Sequence, residues 1–262
     1  MTQKIYQVDA FTSELFGGNS AAVCPLDNWL SDDLMQKIAR ENNLAETAFY
    51  VPTISGYHIR WFTPKTEVAL CGHATLATAY VIFEIEKLPQ NEIKFDSLSG
   101  ELGVKKSGNF LTLDFPSDTI THVKLPINLA EAMGKVPLEI WRGKTDYLLI
   151  YKNESDILDL NPDLKLLAKF TEVRAVIASA KGDKVDFVSR VFAPQSGIDE
   201  DPVTGSAHTT LTPYWAGILK NNTLKAQQLS ERKGDLFCEL KGKRVAISGK
   251  ARLYLQGKIW LV

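Results

Sequence analysis

Two stretches of this 262-residue chain, Val68–Phe83 and Pro202–Leu219, carry no Asp, Glu, Lys or Arg over a helix's length. Within them Cys71–Phe83 and Thr204–Ala216 are apolar on almost every side. A helix without a polar face is buried all round, so each is expected to run through the middle of a domain. Neither approaches the ~20 predominantly apolar residues of a membrane span. Pro213 lacks an N–H and predicts a kink in the second helix, or a late start to its regular part.

Most of the remaining sequence reads as strand. Lys4–Ala10, Ala48–Val51, His58–Phe62, Glu101–Phe115, Tyr147–Tyr151, Val173–Ala178, Val185–Phe192 and Arg252–Val262 are short, rich in β-branched and aromatic residues, and bounded by Gly, Pro, Asn or Asp. One amphipathic helix is predicted over Ser31–Asn42, with Ser31 as N-cap and Asp32 and Asp33 in its first turn. A second is predicted over Pro162–Phe170, with Pro162 at its first position.

The two buried helices look like copies of one pattern. Phe62-Thr63-Pro64 precedes Cys71-Gly72-His73-Ala74, and Phe192-Ala193-Pro194 precedes Thr204-Gly205-Ser206-Ala207. Gly72 and Gly205 lie 133 residues apart, about half the chain. A late strand pair with a Gly turn follows in each half, Leu102–Phe115 and Val245–Val262. The expected class is therefore α+β: two pseudo-equivalent domains from an internal duplication, each a sheet wrapped around a central helix. The division predicted is 1–117 and 118–251, with the last strand, 252–262, open to joining the first domain.

Thirty basic against thirty-one acidic residues, with no block of like charge, exclude a general nucleic-acid binder. Three widely spaced cysteines argue against a disulfide framework and for a reducing compartment. The first residues lack the apolar run of a signal peptide, so cytoplasm is the expected location.

Facing halves would point both helix N-termini into one cleft. Backbone N–H groups after Gly72 and Gly205 would then hold a carboxylate, although each Gly could equally just end a strand–helix turn. His73, beside the positive end of a helix dipole, is expected to stay neutral, either as a hydrogen-bond or proton-shuttle partner or as a satisfied core residue. His208 is expected to be structural, and no metal-ligand spacing appears among the four histidines. Asp201 could cap the second helix or orient His73, and Ser206 could cap locally or bind substrate. Glu46 is the one charge in Leu44–Val51. It either turns to water from an ordinary strand or faces the cleft, where desolvation raises its pKa toward general acid–base use. Cys71, at a helix start, could be an acidified base or a small core residue, and the matching Thr204 weakens a two-thiol racemase.

At these residues the chain resembles the phenazine-biosynthesis isomerase family (PhzF-like), whose fold is shared with diaminopimelate epimerase. The resemblance runs through Val8–Thr12, Gly18–Val23, Ala45–Phe49, Arg60–Pro64, Cys71–Thr75, Ser189–Pro194 and Glu200–His208, in order and over essentially the whole length. Ser20 stands where the family's Gly-Asn-Pro-Ala-Ala-Val stretch has Pro. The resemblance implies a cofactor-independent isomerase without a metal, a small carboxylate-bearing substrate and a homodimer. It also implies Glu46 as the residue that moves the proton, completed by His73, Asp201 and Ser206, with Asn19, Cys71, Gly72 and Gly205 binding substrate. The alternatives are an amino-acid racemase or epimerase using Cys71, and a carboxylate-binding protein without turnover.

Overall fold

The computed structural model describes residues 2–261. The chain forms two compact units, residues 1–114 with 248–262 and residues 115–247.

The first unit contains β1 (Thr2–Ala10), β2 (Asn19–Pro25), α1 (Asp32–Asn42), β3 (Glu46–Pro52), β4 (Tyr57–Phe62), β5 (Glu67–Val68) and α2 (Gly72–Tyr80). A wider π-helical turn at Val81–Ile85 extends α2, and β6 (Glu92–Ser97), β7 (Gly100–Ser107) and β8 (Phe110–Pro116) follow. The second unit contains β9 (Thr121–His122), α3 (Leu129–Met133), β10 (Glu139–Arg142), β11 (Asp146–Ile150), α4 (Glu154–Leu158), α5 (Leu164–Leu167), β12 (Ala175–Lys181) and β13 (Phe187–Ala193). After these come β14 (Ile198–Asp201), α6 (His208–Leu219), β15 (Thr223–Gln228), β16 (Gly234–Lys241) and β17 (Arg244–Gly249). The final strand, β18 (Ala251–Trp260), pairs antiparallel with β1, so its residues return to the first unit.

Strand order and sense repeat between the units. In the first, β1–β2 is antiparallel, β2–β3 parallel, β3–β4 antiparallel, β4–β6 parallel and β6–β7 antiparallel. In the second, β10–β11, β11–β12, β12–β13, β13–β15 and β15–β16 follow the same sequence of senses. The fold is the expected α+β duplication.

One detail fixes the repeat to the residue. Glu67 lies opposite Phe62 across β4–β5 and grips Arg60 through Nε–Oε1 and Nη2–Oε2 bonds of 2.7 Å each. Glu200 lies opposite Phe192 across β13–β14 and grips Arg190 in the same way, at 2.8 Å each. Such forked, charge-assisted pairs set geometry as well as energy. Counted from these pairs, Cys71, Gly72 and His73 correspond to Thr204, Gly205 and Ser206.

Period-two alternation sorts each sheet's faces. Ala22, Cys24, Phe49, Val51 and Phe62 pack against Met35, Ile38 and Ala39 of α1. In the second unit α3, α4 and α5 together cover the corresponding face, over Leu149, Val176, Ala178 and Phe192. Burial of each large apolar side chain stabilises by ~1.5–3 kcal/mol, which holds these short covering helices in place. The opposite faces meet the uncharged helices. Inside those helices threonine hydroxyls bond the preceding turn, as in Thr78 Oγ1 to Ala74 O at 2.8 Å and Thr212 Oγ1 to His208 O at 2.6 Å, whereas Thr210 Oγ1 donates to Asp118 Oδ2 at 2.9 Å.

Several local expectations change. The Ser31 cap holds, its hydroxyl accepting from Leu34 N–H at 3.3 Å. The helix predicted from Pro162 begins instead at Leu164, because Asp163 supplies the cap by accepting from Leu166 N–H at 2.9 Å. Regular helix starts late in the second buried segment, at His208, and continues through Pro213. The carbonyl that Pro213 leaves free, Thr209 O, accepts from Asp118 N–H at 3.1 Å. The second late strand pair is β16–β17, turning at Gly242 with φ 63°, rather than Val245–Val262. Of that predicted segment, Val262 lies outside the described residues.

Candidate active site

Glu46 opens β3, and its alternation with Ala48 and Tyr50 turns it away from α1 and toward α2. There Glu46 Oε2 lies 3.1 Å from His73 Nε2, with the two side chains only 12% and 7% exposed. The contact is close but not aligned as a hydrogen bond, and neither atom has another hydrogen-bond partner among the described residues. On the other side of the ring, Cys71 Sγ is 3.5 Å from His73 Nδ1. Cys71 is also the N-cap of α2, in extended backbone, so a two-residue step at the helix start places thiol and imidazole together.

The charges in this cluster run opposite to the sequence expectation. Burial pushes Glu46 up, but the facing His73 cation, with the Cys71 thiol beside it, outweighs burial and holds the carboxyl below its usual value. Burial pulls His73 down, but Cys71 and Glu46 outweigh it and hold the imidazole well above its usual value. Burial and the Glu46 charge push the Cys71 thiol up, against His73 and the Ala74 N–H. Both directions favour a charged pair, whereas the helix end alone would favour a neutral imidazole. A full charge at 3.1 Å outweighs the partial charge of a helix end, roughly half an electron. Desolvation alone would raise a cleft-facing Glu46, and the fold supplies it with a cation that reverses the direction.

Donor atoms of Glu46, Cys71 and His73 lie within 4.8 Å of one another, a spacing one metal ion could bridge. The thiol and the carboxylate meet opposite ring nitrogens, so the set as it stands is arranged for sharing a proton. Among the described residues the N–H groups of Gly72 and His73 have no backbone acceptor, as expected for the first turn of a helix. Asn19, buried at the start of β2, follows Gly18, whose φ of 64° suits glycine.

In the second unit Asp201 ends β14 and accepts from Thr204 Oγ1 at 2.6 Å. Gln228 locks this turn from within the core. Its Oε1 accepts from Thr204 N–H at 2.8 Å, and its Nε2 donates to Asp201 O at 2.7 Å. Asp201 thus caps the turn that precedes α6. Residues 205–207 form that turn, with His208 N–H donating to Gly205 O at 3.0 Å. Ser206 Oγ accepts from Arg174 Nη1 at 3.1 Å. His208 is structural, since burial pulls its pKa down to about 4 and the neutral ring's Nδ1–H donates to Thr204 O at 2.9 Å.

Sequence reasoning passed over Gln228, Arg174 and Asp146. Asp146 heads the apolar run Tyr147–Tyr151 much as Glu46 heads its own, so the same single-charge signal would have found it.

Comparison with known proteins gives the chain relatives over its full length. The family profile described as "Phenazine biosynthesis-like protein" matches residues 8–257. Two Pseudomonas aeruginosa proteins, each named an uncharacterized isomerase, are 49% identical over 100% of this chain and of their own. A PhzF-family phenazine biosynthesis protein from Enterococcus faecalis superposes with a TM-score of 0.97 at 44% identity, covering 100% of both chains. A hydroxyproline epimerase from Agrobacterium vitis shares the fold at 9% identity, with a TM-score of 0.66 over 98% of this chain and 92% of its own. The sequence motifs around Glu46, His73 and Asp201, the duplicated fold and these full-length matches agree: the chain belongs to the phenazine biosynthesis-like (PhzF) family.

Proposed function

We propose that this chain, an isomerase by its family and by the names of its relatives, moves a proton along the carbon skeleton of a small carboxylate-bearing substrate, with Glu46 as the proton carrier. The observation that carries the proposal is the buried Glu46–His73 contact of 3.1 Å. The ionised carboxylate accepts a proton from an acidified carbon, and the C–H electron pair enters the conjugated system. Returning the same proton to the other end of that system shifts the double bond and leaves Glu46 ionised again. While Glu46 holds the proton, the His73 cation has no neutralising anion and stabilises the delocalised negative charge of the intermediate. In this proposal Asp201 and Ser206 complete the catalytic set, and Asn19, Cys71, Gly72 and Gly205 help hold substrate. The enzyme works as a cytoplasmic homodimer without an organic cofactor or metal.

A racemase using Cys71 would need a second base. The equivalent of Cys71 is Thr204. Counting from the Phe62–Thr47 and Phe192–Val176 pairs, the equivalent of Glu46 is Ala175. Neither can take a proton near neutral pH.

The test is incubation with a panel of carboxylate metabolites in deuterated water, read by mass spectrometry. Wild type should label substrate or product, and Cys71→Ala should keep turnover within about tenfold. Complete loss of labelling in Cys71→Ala alone would favour the racemase.

A further inference from the structure

The two units treat equivalent positions differently. In the first, a carboxylate on β3 reaches the second residue of α2, while the neighbouring β2 position opposite it is Ala21. In the second, the β12 position is Ala175 and the carboxylate has moved to the neighbouring strand, as Asp146 opposite Ala175 on β11. Asp146 is 3% exposed and does not reach Ser206, the counterpart of His73, directly. It holds Arg174 by a fork, Nε to Oδ1 at 3.0 Å and Nη2 to Oδ2 at 2.6 Å, and the remaining arm, Nη1, donates to Ser206 Oγ at 3.1 Å. The Arg174 backbone is pinned too. Its N–H donates to Thr145 O at 2.7 Å, and its carbonyl accepts from Ser196 Oγ at 2.9 Å.

This chain of bonds has a definite sense. A hydroxyl has one hydrogen and two lone pairs. Arg174 has no acceptor and always donates, so one lone pair of Ser206 is occupied and its own hydrogen is left to point elsewhere. Among the described residues no acceptor within the protein takes that hydrogen. A buried carboxylate is costly unless paired, and here the pairing fixes a guanidinium whose free end polarises one serine. Burial works against the Arg174 charge, but Asp146 outweighs it, and Asp201 adds to the same effect. Arg174 stays a cation at every working pH.

We propose that Arg174, held by Asp146, is a positioning residue that orients the Ser206 hydroxyl so that its own hydrogen is directed toward a carboxylate of the ligand. The proposal rests on the isomerase reading above, and deepens it by giving the second unit a charge-fixed, non-titrating counterpart to the Glu46–His73 pair. Arg174 acts on binding, Glu46 on proton transfer.

Arg174→Met alone would strand the Asp146 carboxylate, so the test uses Asp146→Asn/Arg174→Met, which removes both charges together. This double variant, Ser206→Ala, the combined triple variant and Arg174→Lys are compared with wild type for KM and kcat on a substrate found by deuterium labelling. Benzoate and acetate binding, measured by calorimetry, gives a second readout. The expected result is a KM, and a carboxylate Kd, raised about tenfold in the double variant, with kcat changed far less. Ser206→Ala should raise KM and Kd similarly, with kcat also lowered because Ser206 belongs to the catalytic set, and the triple variant should raise KM and Kd no further, because Arg174 acts through Ser206. Arg174→Lys keeps the charge without the fork and should rescue only partly. Additive effects, or an unchanged KM and Kd in the double variant, would overturn the proposal while leaving the isomerase reading intact. A wild type that binds no carboxylate and labels no substrate would overturn both.

Discussion

Replacing Glu46 with Gln separates the acid–base role of this residue from its role as a partner of His73. The variant keeps the length of the side chain but removes the anion 3.1 Å from His73 Nε2. At an effective dielectric of ~20, two charges at that separation attract by about 5 kcal/mol. Most of that gain is offset by taking both groups out of water. Loss of one partner normally costs ~3–5 kcal/mol, because a buried charge is left alone. His73 can avoid this by releasing its proton, so the expected destabilisation is smaller, about 1–2 kcal/mol in urea unfolding at pH 7. Burial, which already pulls the imidazole down, then has only Cys71 against it. The His73 C2–H resonance should therefore titrate at lower pH in Glu46→Gln than in the wild type. Turnover should fall at least ~10²-fold with little change in KM, since general acid–base catalysis contributes ~10²–10⁴-fold. Turnover within tenfold of wild type, or a His73 titration identical in both proteins, would refute the argument.

The same pair makes stability depend on pH in two directions. His73 is raised in the fold, so its contribution is full below the ordinary imidazole range and drains away as pH rises through its folded value. Glu46 is lowered, so its contribution is full above the ordinary carboxylate range and is lost as pH falls through its folded value. Denaturant midpoints measured from pH 3 to 10 should peak between these ranges in the wild type, and the alkaline arm should flatten in His73→Gln. Gly18→Ala should lower stability by at least ~2 kcal/mol in urea melts, because φ is 64° and a Cβ there would sit 2.1 Å from Ala10 O. Gln228→Ala should cost ~2–4 kcal/mol in the same assay, stranding Thr204 N–H in the core, and should raise KM through the loosened Asp201 turn.

Much of this molecule is legible in features that need no three-dimensional context. Missing charge marks α2 and α6 as buried, and Phe-x-Pro before each marks the duplication. The isolation of Glu46 in an apolar run singles it out as the candidate proton carrier. What escapes the sequence depends on partners distant in the chain. The Glu46 and His73 pKa shifts run opposite to the local expectation because 27 residues of separation close to 3.1 Å, which no local pattern reveals. Asp146 and Arg174, 28 residues apart, are found together only once β11 and β12 lie parallel. The start of α5 moves from Pro162 to Leu164 because a side-chain bond from Asp163 decides it, and a proline's preferred φ is compatible with either position. Home membership of β18 is also invisible locally, since its residues would suit the edge of either sheet.

That last strand sets an order on the making of the protein. β18 leaves the ribosome after every residue of the second unit, yet it is the partner of β1, which precedes that unit. Residues 11–250 separate the two, and at ~5–20 residues per second their synthesis takes on the order of tens of seconds. During that interval β1 has β2 on one side and an open row of backbone donors and acceptors on the other, an edge prone to wrong pairing. The second unit meanwhile can fold as each of its residues emerges. The unit that carries Glu46, Cys71 and His73 is thus the first begun and the last closed, and a nascent chain cut short before Ala251 carries all three residues in a sheet that has not been sealed.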